Sequence, residues 1–152
     1  ESIFKRELTS RRGGRLVLRA EIKLKKGNKK HLADKALEII KIRAGKYKPG
    51  LRCPCSFFKN VLVKDVSKTT LAKIDRTKII KGKIPTGYLL EQVGANGMKF
   101  GGLRIAGYHG NLLINDGYAT YRDVRALAAK LKRLVKAKFG ITLDEEVRYM
   151  IA

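Results

Sequence analysis

Acidic residues, cysteines and long apolar runs are all scarce in this chain. Of its 152 residues 13 are Asp or Glu, against 35 Lys and Arg, which leaves a formal net charge of +22. That imbalance favours an anionic partner: nucleic acid first, then a phosphorylated metabolite, then an anionic membrane surface. No stretch approaches the ~18 consecutive apolar residues of a membrane-spanning helix, and the charged start over residues 1–8 does not resemble a signal peptide. A soluble, intracellular protein is expected. The two cysteines, Cys53 and Cys55, stand one residue apart. A small secreted scaffold would spread several along the chain, so a reducing compartment is expected. A zinc site would need four ligands, and His31 and His109 are the only other soft candidates, so no metal is expected. The tyrosines and phenylalanines are scattered, and no nucleic-acid-reading module, Gly-x-Ser-x-Gly elbow or Walker-type loop is present. Nor is there an internal repeat or a low-complexity tract.

What is present has clear periods. Residues 15–24, RLVLRAEIKL, alternate with Leu16, Leu18, Ala20, Ile22 and Leu24 on one side, which predicts a half-buried strand. Asn28 can cap a helix over about residues 29–44, with Leu32, Ala33, Ala36, Leu37 and Ile40 in helical spacing and Gly45 as its C-terminal stop. Pro49, Gly50 and Pro54 break any regular element between Lys46 and Cys55, which reads as a linker or site loop. A short apolar stretch, Phe57–Val63, a short helix around Lys68–Ile74 and a break at Gly82–Pro85 follow. Glycines recurring from Gly87 to Gly117 between brief apolar runs suit tight turns between short strands. Thr120 and Asp123 form a capping box, and Val124, Leu127, Ala128, Leu131, Val135 and Phe139 continue in helical period to Gly140. A final strand is expected over 141–151. Period and spacing alone support a basic α+β domain and no more.

Several segments in one order go further. They are Glu1-Ser2-Ile3-Phe4-Lys5, Cys55-Ser56-Phe57-Phe58-Lys59-Asn60, Gly87-Tyr88-Leu89-Leu90-Glu91-Gln92, Gly101-Gly102 through His109-Gly110-Asn111-Leu112-Leu113-Ile114-Asn115, Ala119-Thr120, and Glu146-Val147-Arg148. Together they resemble the C-terminal half of the UDP-N-acetylenolpyruvoylglucosamine reductase family, over essentially the whole chain. Where that family carries glycine before its serine, this chain has Cys55. Val61 replaces a proline, and Asn96 replaces a lysine in the Gly94–Gly97 turn.

The resemblance implies a cytoplasmic bacterial flavoenzyme that uses FAD and NADPH to reduce UDP-N-acetylglucosamine enolpyruvate to UDP-N-acetylmuramate for peptidoglycan synthesis. It implies that residues 1–45 are the closing strand and helix of an FAD domain. Residues 46–152 would form an α+β substrate-binding domain, a small, mainly antiparallel sheet with packed helices. It assigns Ser56 as the general acid and Glu146 as the catalytic glutamate, with Lys46, Lys59, Asn60 and His109 binding substrate. Hydride addition to an unsaturated carboxylate leaves enolate charge to stabilise and a carbon to protonate, which is work for such groups. No glycine-rich flavin loop and no partner arginine can be matched in these residues, so the chain is expected to be part of a longer reductase and inactive alone. The other reading is a non-enzymatic basic domain that binds RNA or another polyanion.

Overall fold

The computed structural model describes residues 18–47 and 50–149. The opening motif at 1–5, the start of the predicted strand at 15–17 and the end of the last predicted strand at 150–151 lie outside them. The chain divides into two compact units, Glu1–Lys46 and Tyr47–Ala152.

In the first unit, helix α1 spans Lys29–Lys46. Its cap is the one the sequence predicts: Asn28 Oδ1 accepts from the His31 N–H at 3.0 Å, and the Asn28 carbonyl accepts from the Leu32 N–H at 3.0 Å. The helix does not stop at Gly45 but runs through it to Lys46. Glycine inside a helix costs about 1 kcal/mol, which does not end an otherwise favourable run. The left-handed turn falls instead on Gly50, with φ 81°.

The predicted strand at 15–24 is not formed over its described part. Among the described residues, 18–28 form no strand, and Leu18, Ile22 and Leu24 are 87%, 79% and 82% exposed. Alternation prepares a face for burial, but a strand exists only when a second strand takes up its N–H and C=O groups.

The second unit carries the remaining elements. Strand β1 (Val61–Leu62) pairs antiparallel with β2 (Lys83–Ile84), and between them lie the short helix α2 (Lys68–Leu71) and two 3-10 turns, Val63–Asp65 and Arg76–Lys78. Helix α3 spans Thr86–Gln92. Strands β3 (Lys99–Phe100), β4 (Leu103–Ala106) and β5 (His109–Asn115) then form an antiparallel sheet in the order β3-β4-β5. The architecture is α+β, as the sequence implied.

Helix α4, Tyr121–Phe139, covers this core. Thr120 accepts from the Asp123 N–H at 3.2 Å while Asp123 Oδ2 accepts from the Thr120 N–H at 2.9 Å, so the reciprocal cap is complete. The Thr120 N–H first, then the Thr120 hydroxyl, which donates to Asp123 Oδ2 at 2.9 Å, hold the Asp123 carboxyl below its ordinary value. Gly140, with φ 74°, closes the helix through a 2.8 Å bond from its N–H to the Lys136 carbonyl. Leu127, Ala128, Leu131, Val135 and Phe139 form the buried stripe. Each buried leucine is worth roughly 1.5–3 kcal/mol.

Two glycines allow α3 to lie against β5. A Cβ on Gly110 would stand 2.9 Å from the Gly87 carbonyl oxygen and 3.0 Å from Leu90 Cβ, and one on Gly87 would stand 2.8 Å from His109 Cε1.

The predicted last strand is also absent as a ladder. Its described part, 141–149, buries Ile141 and Leu143 in alternation and makes one isolated antiparallel bridge, Phe58 to Glu145. Its edge meets only the three residues Phe57 to Lys59, too short a partner for a strand.

Candidate functional site

The segment from Ser56 to Asn60 is held from both sides. On one side Ser56 bridges Leu112 of β5, and the Phe57 N–H donates to the Asn111 carbonyl at 3.0 Å. On the other, the Lys59 N–H donates to the Asp144 carbonyl at 2.9 Å and the Glu146 N–H to the Phe57 carbonyl at 2.8 Å. Residues 90 positions apart in sequence, Ser56 and Glu146, are thus brought to one place by backbone pairing rather than by any local motif (146 − 56).

The far end of the segment is tied to α3. Asn60 Oδ1 accepts from the Thr86 N–H at 3.1 Å, and the Thr86 hydroxyl, fully buried, donates to the Lys59 carbonyl at 2.5 Å. The carboxamide oxygen of Asn60 is therefore engaged, and its Nδ2 is the group it can offer a ligand.

Two concave regions meet here. The larger, about 540 Å³, is lined by Ser56, Asn60, Lys81, Lys83, Tyr88 and His109 among others. That volume lies within the range of small-molecule sites. The smaller, about 410 Å³, is lined by Pro54, Cys55, Ser56, Glu146 and Val147. Ser56 belongs to both walls.

His109 is half-buried and its Nδ1 accepts from the Asn111 N–H at 3.2 Å, which leaves Nε2 as the protonated nitrogen of the neutral ring. Cys55 occupies the left-handed region, with φ 65°. That is the conformation glycine adopts without cost, and Cys55 is the very position where the family resemblance calls for glycine.

Of the residues singled out from sequence, Ser56, Asn60 and His109 share the larger cleft, and Ser56 and Glu146 the smaller. Lys59 is exposed and lines neither of these two clefts. Lys46 ends α1 in the first unit, and its side chain lies outside the described residues. Sequence reasoning missed Lys81 and Lys83, which stand in the larger cleft because β2 turns there, and Lys81 itself has φ 49°. It also missed Asn111, whose only signal was an amide beside the apolar Leu112–Ile114 of β5. Among the described residues no three His, Cys, Asp or Glu side chains converge as a metal site would require, and no helix is long and apolar enough to cross a membrane.

The second unit is thus an α+β domain, a small antiparallel sheet packed with helices, with a lysine-bearing cleft whose wall carries the Ser56 hydroxyl and, sharing that wall, a smaller cleft that holds Glu146. A family model described as UDP-N-acetylenolpyruvoylglucosamine reductase, C-terminal domain, matches residues 48–150. The UDP-N-acetylenolpyruvoylglucosamine reductase of Solibacter usitatus is 38% identical over 150 residues, 99% of this chain and 46% of that protein. The one from Borrelia garinii is 32% identical over 134 residues, 88% of this chain and 38% of its own length. Among solved structures, the UDP-N-acetylenolpyruvylglucosamine reductase of Thermus caldophilus superposes with a TM-score of 0.50 at 26% identity, covering 82% of this chain and 37% of that one. The chain belongs to the UDP-N-acetylenolpyruvoylglucosamine reductase family and carries its C-terminal domain. It spans less than half the length of each of these relatives.

Proposed function

We propose that this chain is the substrate-binding, proton-delivering part of an enzyme that reduces UDP-N-acetylglucosamine enolpyruvate to UDP-N-acetylmuramate in the cytoplasm, for peptidoglycan synthesis. The observation that supports it most is the position of Ser56, on the wall common to a lysine-bearing cleft and to a smaller one holding Glu146.

The roles follow from chemistry. A sugar diphosphate is anionic, and Lys81 and Lys83 supply cations in the larger cleft, with Asn60 Nδ2 and His109 Nε2–H as oriented donors. The reacting enolpyruvyl group then lies at Ser56. When hydride reaches its terminal carbon, the adjacent carbon becomes strongly basic, and the Ser56 hydroxyl donates the proton there. Glu146, across the smaller cleft, assists in stabilising the intermediate or in restoring the proton. Lys46, at the end of α1, and Lys59, in the 56–60 segment, remain substrate-binding candidates.

FAD and NADPH belong to this reading as the source of hydride. The smaller cleft, where Ser56 and Glu146 meet, does not fit a flavin dinucleotide, because it is lined by five residues, none of them an aromatic ring or a cation. The flavin is assigned to protein outside residues 46–152, with residues 1–45 belonging to that FAD domain. No hydride step is ascribed to a residue described here.

The test is NADPH oxidation by the intact protein in the presence of UDP-N-acetylglucosamine enolpyruvate. Ser56→Ala should lower turnover by about 10²–10⁴-fold while NADPH still reduces the flavin. Undiminished turnover in that variant would remove Ser56 from the mechanism. Binding that ignores the uridine and collapses with added salt would instead favour the polyanion reading.

A further inference from the structure

We propose that Asn111 is a positioning residue for this site: its carboxamide stands in for a strand's peptide unit and holds Phe58, thereby fixing Ser56 and Asn60 on either side of it. The proposal rests on the reading that Ser56 and Asn60 act on substrate.

The geometry is complete at one residue. The Phe58 N–H donates to Asn111 Oδ1 at 2.8 Å, and Asn111 Nδ2 donates to the Phe58 carbonyl at 2.8 Å. Asn111 is 1% exposed and Phe58 fully buried, so neither backbone group of Phe58 can turn to water. The neighbouring groups face the other way: the Phe57 carbonyl and Lys59 N–H are taken by Glu146 and Asp144. At Phe58 the backbone pairing with β5 has ended, since its last members are Ser56 with Leu112 and the Phe57 N–H with the Asn111 carbonyl. A side-chain amide can present an N–H donor and a C=O acceptor side by side as a strand does, and here it extends the pairing by one residue.

The same residue reaches the ligand side. Its backbone N–H holds His109 Nδ1 at 3.2 Å, so Asn111 couples the orientation of the His109 ring to the path of the 56–60 segment. Without the carboxamide, two buried backbone groups lose their partners, and they regain water only if the segment moves away from β5. Ser56 and Asn60 move with it. A displacement near 1 Å at a reacting group can cost about 100-fold in rate.

Asn111→Leu keeps the volume and removes both bonds, while Asn111→Asp keeps the shape and makes the second bond depend on protonation. In the intact protein, measured well below its unfolding temperature, Asn111→Leu is expected to lower kcat for UDP-N-acetylglucosamine enolpyruvate by about 100-fold and to speed hydrogen exchange at the Phe58 amide, while NADPH reduces the flavin as before. Asn111→Asp is expected to lose activity with the carboxylate ionised and regain it as pH falls, because the protonated acid again offers one donor and one acceptor. The wild-type profile is the reference, since His109 adjoins Asn111 in both proteins. If Asn111→Leu does not fold, the acid-side recovery of Asn111→Asp decides. A folded Asn111→Leu with wild-type kcat and KM, or an Asn111→Asp profile parallel to wild type, overturns the proposal. If the wild type itself does not turn over, it is the reductase reading that fails. In that case Phe58 exchange still decides whether Asn111 holds the segment.

Discussion

Lys132 on α4 and Glu145 in the C-terminal segment form an ion pair at 2.6 Å, with the Glu145 side chain 15% exposed. The residue next to Glu145 is Glu146, so this pair anchors to the long helix the segment that brings a carboxylate to Ser56. Burial works to raise the Glu145 carboxyl. Hydrogen bonding from Lys132, the neighbouring Tyr149 hydroxyl and the charges of Lys132 and Arg125 outweigh it and hold the group below its ordinary value.

Lys132→Ala should therefore destabilise the domain by about 1 kcal/mol, because it removes a charged hydrogen bond from a carboxylate that still has the Tyr149 hydroxyl and Arg125 beside it. A depressed carboxyl contributes stability above its unfolded value, and that contribution is lost as pH falls through the folded one. Thermal unfolding of the wild type should weaken as pH falls below the ordinary glutamate range, and in Lys132→Ala that acid-side loss should be smaller, because without Lys132 the folded carboxyl no longer lies as far below the unfolded one. Identical acid limbs for the two proteins would show that the pair is energetically silent.

The Tyr149 hydroxyl is buried beside the Glu145 carboxylate without completing a hydrogen bond in good geometry, and its ring is packed edge-on by Tyr121 with Arg125 at 5.0 Å. Burial first, then Glu145, pushes its ionisation far above the ordinary 10.0. A raised folded value means stability that is present below pH 10.0 and lost above it. Tyr149→Phe should be neutral or stabilising near neutrality and should lose less stability between neutral and strongly alkaline pH, as followed by circular dichroism. A large destabilisation at neutral pH would mean that the hydroxyl has a partner after all.

Cys55 sits at φ 65° beside Ser56, where an L side chain costs roughly 1–2 kcal/mol and glycine nothing. Cys55→Gly is expected to raise the unfolding temperature slightly and to keep turnover. Cys55→Val should lower both, since a β-branched side chain tolerates this conformation least. Chemical denaturation of the two variants checks the order, and a Cys55→Gly protein less stable than wild type contradicts it.

Gly87 and Gly110 should separate binding from folding. A Cβ at Gly87 meets the His109 ring, 2.8 Å from Cε1 and 3.0 Å from Nδ1, so Gly87→Ala displaces that ring and should raise KM about tenfold with a modest change in unfolding temperature. At Gly110 the Cβ meets the Gly87 carbonyl and Leu90 Cβ, so Gly110→Ala forces α3 off β5 and should cost about 1–3 kcal/mol. Steady-state kinetics and unfolding curves on the pair would show the contrast, or its absence.

Much of the fold could be read along the chain where the signal is local. Asn28 before a run of apolar residues in helical spacing and the Thr120–Asp123 box before an amphipathic one are contacts over three residues, and both helices begin where these caps predict. The α+β class followed from the same periods and breaks. The strand pattern at 15–24 misled because alternation describes only one partner of a ladder. Strands of two residues, such as β1, β2 and β3, carry too few positions to show any period. At the site, Ser56, Asn60, His109 and Glu146 were named from resemblance, whereas Lys81, Lys83 and Asn111 carried no pattern that spacing would reveal.

The amino-acid sequence by itself determined the charge, the helix boundaries set by capping and the residues available for chemistry, because these depend on composition and on neighbours a few positions away. Only the tertiary structure decided which of them meet. Ser56 and Glu146 line one cleft because Phe57 and Lys59 form backbone hydrogen bonds with residues 146 and 144. The 56–60 segment keeps its place because an amide 53 residues away closes on Phe58. Such contacts arise when distant segments are buried together and every buried N–H and C=O must find a partner, a condition that no local stretch of sequence can express.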